Sequence, residues 1–288
     1  MKPSDIALAL TVPVLWGFGF VIAKPAMVHF PPLLLMAMTY GVTALCLCRR
    51  IPAIRTPFLS MIGLGLLVAT IQAGLIFYAL ADLPASTAVL ILQSSVPFSV
   101  LFAWPLAGER PTAVRLLGMA LSFAGIVVIV GLPQEVASLG PPALMLAGAA
   151  FWALGQVAAR RLGRDDGMTL TAGIAVHALP QMLLASALLE HGQWTAIASA
   201  TWRDWATFAA FALLGFVAAY TIWYGLLRRH RVEQVIPFSL LMPVVGVLSG
   251  VLLLHERITA NELAGGAIVM AGLAVVIFAK GPAPAPAE

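Results

Sequence analysis

Ten stretches of roughly twenty mostly apolar residues follow one another with only short polar breaks, and no other feature limits the fold so tightly. They run over residues 5–24, 31–48, 58–80, 84–106, 112–131, 142–160, 168–189, 204–227, 233–254 and 259–279. A hydrocarbon core about 30 Å thick needs about 20 apolar residues per helix, because every backbone N–H and C=O must be satisfied within the segment. Only 10% of the 288 residues are charged, against roughly 25% in a soluble domain, so the outer surface faces lipid. The expected class is an all-α membrane protein. The first stretch lacks a small-residue cleavage site and is followed at once by a second, so it reads as a retained helix. A net charge of +4 does not signal a nucleic-acid partner, because the basic residues are scattered rather than gathered on one face. Cys46 and Cys48 stand two apart with no other cysteine to pair with, which excludes a disulfide framework.

The cations orient the chain. With the N-terminus in the cytoplasm, Lys2, Arg49, Arg50, Arg55, Arg110, Arg115, Arg160, Arg161, Arg164, Arg228, Arg229, Arg231 and Lys280 fall inside, and only Lys24, Arg203 and Arg257 fall outside. That asymmetry predicts cytoplasmic termini. The Pro/Ala tail 281–288 reads as disordered.

The chain also repeats itself. An offset of 147 places Glu109-Arg110 on Glu256-Arg257, Thr112-Ala113 on Thr259-Ala260, Leu116 on Leu263, Gly118 on Gly265 and Gly125 on Gly272. An offset of 136 places Trp16, Gly19, Val21 and Ala23 on Trp152, Gly155, Val157 and Ala159, with Lys24 over Arg160. Near 146, Phe77-Tyr78 falls on Trp223-Tyr224 and Pro97 on Pro243. Two five-helix units are expected, residues 1–133 and 134–280. Five being odd, the second unit enters the membrane inverted, a plan common in secondary transporters, whose sites lie at the repeat interface.

The Trp16-Gly17-x-Gly19 helix ending in a cation, the Tyr78-to-Ser86 crossing, Pro97, and Gly108-Glu109-Arg110-Pro111-Thr112 followed by Gly118 and Gly125 resemble the drug/metabolite transporter superfamily in its EamA-type, ten-helix form. The resemblance covers nearly the whole chain. Within it, the sequence looks like the bacterial inner-membrane exporters of aromatic amino acids, the YddG type. The resemblance implies a central cavity lined by the first, third, fourth, sixth, eighth and ninth helices, with the fifth and tenth packed to one side.

Candidate substrate residues follow from chemistry near the midplane. Trp16, Phe20 and Lys24 share one helix face at four-residue spacing, as do Trp152, Gln156 and Arg160. An aromatic ring beside a polar group suits a ligand with an apolar side chain and polar ends; the alternative is that the tryptophans anchor the interface and the cations snorkel. Gln93, Ser94, Ser95 and Ser99 cluster around Pro97, and Gln234, Pro237 and Ser239 precede Pro243. Each proline removes a helix donor, freeing the carbonyls of Gln93 and Ser239 for a substrate ammonium, or else serves as a hinge. Tyr78, Tyr220, Trp223 and Tyr224 add aromatic surface, or belt packing. The twelve acidic residues all lie at span ends, in loops or at the terminus, leaving no buried carboxylate as a proton carrier. His177 is the one ionisable side chain near a span centre; it reads as a neutral histidine bonding between helices, with a proton-linked switch as the alternative. Glu109 and Glu256 are expected to cap the helices that follow them and pair with the adjacent arginines. The paired glycines are expected to permit close helix approach.

The expected function is export of amino acids, aromatic and other apolar ones preferred, across the bacterial inner membrane by alternating access. Its partners are the small-molecule substrate and the bilayer; no cofactor, metal or obligate protein partner is implied. Other metabolites or cationic drugs are the alternative, cations being held by contact with the tryptophan faces. An intramembrane enzyme is the distant one: Ser249 with His177 lacks a G-x-S-x-G elbow, and Asp165-Asp166 is a lone acidic pair. No G-x-x-x-x-G-K-[ST] loop for ATP is present.

Overall fold

The structure, a computed structural model, describes residues 1–107, 110–130, 139–230 and 235–279. Glu109, Gln234, the 281–288 tail and the side chains of Tyr224 and Pro237 lie outside the described residues. Among those described, every regular element is helical. Eight helices are long and apolar enough to cross a membrane, and two shorter apolar ones, Pro32–Cys46 and Phe238–Leu254, accompany them.

The helices are α1 (Pro3–His29), α2 (Pro32–Cys46), α3 (Phe58–Leu64 through Gln72–Asp82), α4 (Ala85–Leu92 and Ser95–Ala107) and α5 (Ala113–Val130). In the second half they are α6 (Gly140–Leu162), α7 (Gly167–Leu189), α8 (Trp202–Ala210 through Ala219–Arg229), α9 (Ile236–Leu240 and Leu241–Leu254) and α10 (Ala260–Phe278). A short helix, Gln193–Ser199, precedes α8. α1 runs past Lys24 and Pro25 to His29, and the chain turns extended at Phe30, where the following Pro31 disfavours helical backbone.

Two helices widen at matching places. α3 carries a π segment at Gly65–Ile71 and α8 one at Phe211–Ala218, and adding 147 to 65–71 gives 212–218. α4 breaks at Gln93–Ser94, whose N–H groups reach back only three residues, to Leu90 and Ile91. α9 likewise opens with a 3-10 turn, Ile236–Leu240, before Pro243. The expectation that Pro97 frees the Gln93 carbonyl is corrected: the tightened turn lets Val96 N–H donate to it at 3.1 Å. The Ser239 carbonyl is also engaged, by Leu241 N–H.

Packing pairs α5 with α10, α2 with α7, α1 with α9 and α8, and α6 with α4 and α3. Exchanging each helix for the one five further on or five back leaves these pairings unchanged. The α5–α10 contact is backbone on backbone: a Cβ on Gly118 would sit 2.8 Å from the Gly272 carbonyl oxygen, and one on Gly125 2.7 Å from that of Gly265. Gly19 of α1 approaches Gly215 of α8, and its counterpart Gly155 of α6 approaches Val68 of α3.

Proline opens α2, α3 and α4: Pro31, Pro57 and Pro84 hold their N-cap positions without a side-chain acceptor. Carboxylates from the second half supply what is missing. Glu190 accepts from Leu33 N–H (2.7 Å) and Leu34 N–H (3.1 Å), and Asp165 from the N–H groups of Arg55 and Thr56 just before Pro57. Glu256 accepts from Ala85 N–H (2.6 Å), Ser86 N–H (3.0 Å) and Ser86 Oγ (2.6 Å). Glu256 therefore caps α4, not the helix that follows it. The following helix needs no such help, because Thr259 and Glu262 form their own capping box.

Candidate functional site

The α1 residues Asp5, Ala9, Val12, Trp16 and Phe20 recur at three- and four-residue spacing and so share one face. That face meets α8. The Trp16 ring stands 5.5 Å from Tyr220, edge-on, and 5.1 Å from Trp223, tilted. Tyr220 continues to Phe216 at 4.9 Å, and Phe216 to Tyr40 of α2 at 5.4 Å. One turn along α1, Phe20 stacks on Phe77 of α3 at 6.1 Å, and Phe77 meets Phe211 edge-on at 5.5 Å. Such pairs add about 0.5–1.5 kcal/mol each beyond the area they bury. The Trp16 Nε1–H is buried among these rings with no hydrogen-bond partner among the described residues. An indole N–H in that position holds an unfilled donor toward a ligand acceptor.

The other expected residues are placed as follows. Gln93 and Ser94 are buried at the α4 break, and the Ser94 hydroxyl donates to the Ile91 carbonyl at 2.7 Å. Ser95 is partly buried, and its carbonyl accepts from Ser99 Oγ. Trp152 and Gln156 are partly buried on α6, a turn apart, and Ser239 is partly buried in the first turn of α9. Pro97 and Pro243 are both buried. Tyr78 is 49% exposed and outside the ring cluster. Its neighbour Phe77 is the residue the sequence reading missed. The signal was available, since an offset of 146 carries Phe77, not Tyr78, onto Trp223.

Charged groups hold the edges of the bundle. Lys24 Nζ donates to the Ala81 carbonyl at the end of α3 at 3.1 Å. His29 Nε2–H donates to the Ala196 carbonyl at 2.7 Å, which fixes the proton on that nitrogen. His177 Nδ1 bonds Gly173 O of its own helix at 2.8 Å and its ring meets Phe58, so the expected bond between helices is replaced by an intrahelical one. Burial pushes the Asp165 carboxyl up, but hydrogen bonds from Thr56 Oγ1, Arg55 N–H and Thr56 N–H, with the Arg55 charge, outweigh it and hold it below the ordinary 3.8. Asp5 departs most from expectation. It lies at a helix start as read, yet is only 6% exposed, with Arg229 Nη1 and His230 Nε2 each 3.0 Å from its oxygens. Among the described residues no three His, Cys, Asp or Glu side chains gather as a metal site.

A groove of about 450 Å³ between α1, α8 and α9 is lined by Val21, Ile22, Pro25, Thr207, Ala210 and Leu253, among others. At 100° per residue Pro25 stands opposite Trp16 on α1, so this apolar opening is separate from the ring cluster.

Comparison with known proteins bears on this arrangement. The EamA-like transporter family matches residues 4–131 and again residues 141–278. A probable amino-acid metabolite efflux pump of Escherichia coli (strain K12) is 33% identical, with 96% of each chain covered. Its namesake in Salmonella typhimurium is also 33% identical, again over 96% of each chain. A solved crystal structure 23% identical shares the fold, with a TM-score of 0.67 and 96% of each chain covered. Matched over nearly its whole length, the chain belongs to the EamA-like transporter family and is a multi-pass membrane transporter, not an enzyme.

Proposed function

We propose that this transporter exports amino acids, aromatic and other apolar ones preferred, across the bacterial inner membrane. It does so by alternating access of two inverted five-helix halves, residues 1–133 and 134–280, with both termini in the cytoplasm. The observation that carries the reading is the Trp16 indole, edge-on to Tyr220 and against Trp223, with its N–H unfilled among the described residues. An aromatic side chain finds rings to lie against, and a substrate carboxylate finds a donor. Gln93, Ser94, Ser95, Trp152, Gln156 and Ser239 complete the site from α4, α6 and α9, with Pro97 and Pro243 as hinges beside the two helix breaks. The names of the two 33%-identical relatives support the substrate class. Helix pairings unchanged by a five-helix exchange, and π segments at equivalent places, support the two-half mechanism.

The test is counterflow of radiolabelled phenylalanine in proteoliposomes, competed by amino acids, nucleosides and organic cations. Aromatic and apolar amino acids are expected to compete. Competition by organic cations alone would move the substrate to the cationic alternative.

A further inference from the structure

We propose that the α1–α8 interface between Trp16 and the chain start is a closed gate of the transport path, made of an apolar plug and an ionic latch. The proposal rests on the reading of the Trp16 cluster as the substrate site. Ala9 and Val12 of α1 pack with Leu226 of α8 and Val235, just before α9, all at 0% exposure. Leu8, Trp16, Ile222, Trp223 and Phe238 surround them. This cluster is separate from the main core, which holds the rings of Phe20, Phe77 and Phe211. The plug thus starts directly at the site and ends directly at the latch. Along α1 the order on one face is Trp16, Val12, Ala9 and Asp5.

At the latch, Arg229 Nη1 donates to Asp5 Oδ1 at 3.0 Å, and the buried His230 Nε2 lies 3.0 Å from Oδ2 without forming a hydrogen bond to it. Arg229 Nε also donates to the Gly225 carbonyl of its own helix, which aims the guanidinium. Breaking the pair would leave a carboxylate that is only 6% exposed without its guanidinium partner, so the latch holds α1 against α8. It can also let go, because the Arg229 side chain is 54% exposed and water is already at hand to solvate it.

The repeat does not copy this ion pair to the other end of the bundle, where α1 meets α8 through His29 Nδ1, 3.9 Å from Asp204 Oδ2. The repeat offset of 136 carries Asp5 onto Pro141, and that of 146 carries Arg229 and His230 onto Leu83 and Pro84. None of these can form the ion pair. The two ends of the α1–α8 interface are therefore held differently, by the 3.0 Å Arg229–Asp5 pair at one end and the longer His29–Asp204 contact at the other, and the closer pair favours closure at the end carrying Asp5. The excess of cations near that end makes it the cytoplasmic one.

The test uses the full chain with Cys46→Ser and Cys48→Ser, reconstituted in proteoliposomes, and a membrane-impermeant maleimide applied from the Asp5 side. The thiol of an Ala9→Cys variant is expected to react slowly with Asp5 intact and at least fivefold faster with Asp5→Asn. With the charges exchanged, Asp5→Arg with Arg229→Asp, slow labelling is expected to return. Equal labelling in all three would make the plug permanent packing and overturn the gate. A second readout does not depend on removing Asp5. Oxidative cross-linking of Val12→Cys to Leu226→Cys is expected to stop phenylalanine counterflow, and reduction to restore it; full transport by the cross-linked protein would overturn the proposal. Labelling needs no substrate. A gate that opens in Asp5→Asn while no amino acid is carried would sink the substrate reading and leave the gate standing.

Discussion

Trp16 concentrates the argument in one atom. Its ring is held by Tyr220 and Trp223, so replacing it with Phe keeps an aromatic ring in the cluster and removes the Nε1–H together with the pyrrole part of the indole. A hydrogen bond contributes about 1 kcal/mol, or roughly fivefold in affinity. Trp16→Phe is therefore expected to raise the half-saturation concentration for phenylalanine about fivefold with the maximal rate nearly kept, as initial-rate counterflow would read. A different prediction attaches to Glu256. Three donors at the start of α4 lose their acceptor in Glu256→Ala, at a cost of about 2 kcal/mol, measurable as an earlier unfolding midpoint in dodecyl sulfate. Asp165 adds a pH test. Its carboxyl is held below the ordinary 3.8, so the stability it contributes is present above that value and lost as pH falls through the lower native one. The midpoint gap between the parent protein and Asp165→Asn is expected to narrow between pH 6 and pH 3. That these acids would sit at helix ends was legible in the sequence. Which helix each would serve was not, because a proline N-cap announces a missing acceptor without saying where in space one will come from.

Among the elements, α5 and α10 were the most legible. Glycines seven residues apart fall on one face by local geometry alone, and Gly118, Gly125, Gly265 and Gly272 all meet backbone. Gly125→Val places a Cβ 2.7 Å from the Gly265 carbonyl oxygen and is expected to destabilise by about 2–3 kcal/mol. Gly63→Ala in α3, with no atom within 4 Å of its Cβ, is the control and is expected to hold or slightly raise the midpoint. The broken helices were half legible. Pro97 and Pro243 mark where α4 and α9 depart from regular helix, but the local turn re-satisfies the carbonyls the prolines were expected to free. The π segments of α3 and α8 carry no proline and were not anticipated; only their matching positions relate them to the repeat. Phe77 was missed because a strand of sequence reads Phe-Tyr as two equal aromatics, whereas the helix turns one toward Phe20 and leaves the other half-exposed.

At the scale of the molecule, apolar length and the placement of cations already implied a multi-pass bundle before any contact was known. What they could not supply is the neighbour of each helix. The pairing of α1 with α8 and α9, and of α6 with α3 and α4, joins helices far apart in sequence, and it brings Trp16 to Tyr220 and Asp5 to Arg229. The central claim is that the substrate passes through that α1–α8 interface. Phenylalanine counterflow, measured side by side for the parent protein, Trp16→Ala and Leu184→Ala, tests it most directly, Leu184 being 62% exposed on α7 and outside both helices. The account predicts at least a tenfold loss for Trp16→Ala at equal protein in the vesicles, and parental counterflow for Leu184→Ala. Parental counterflow in Trp16→Ala would contradict it.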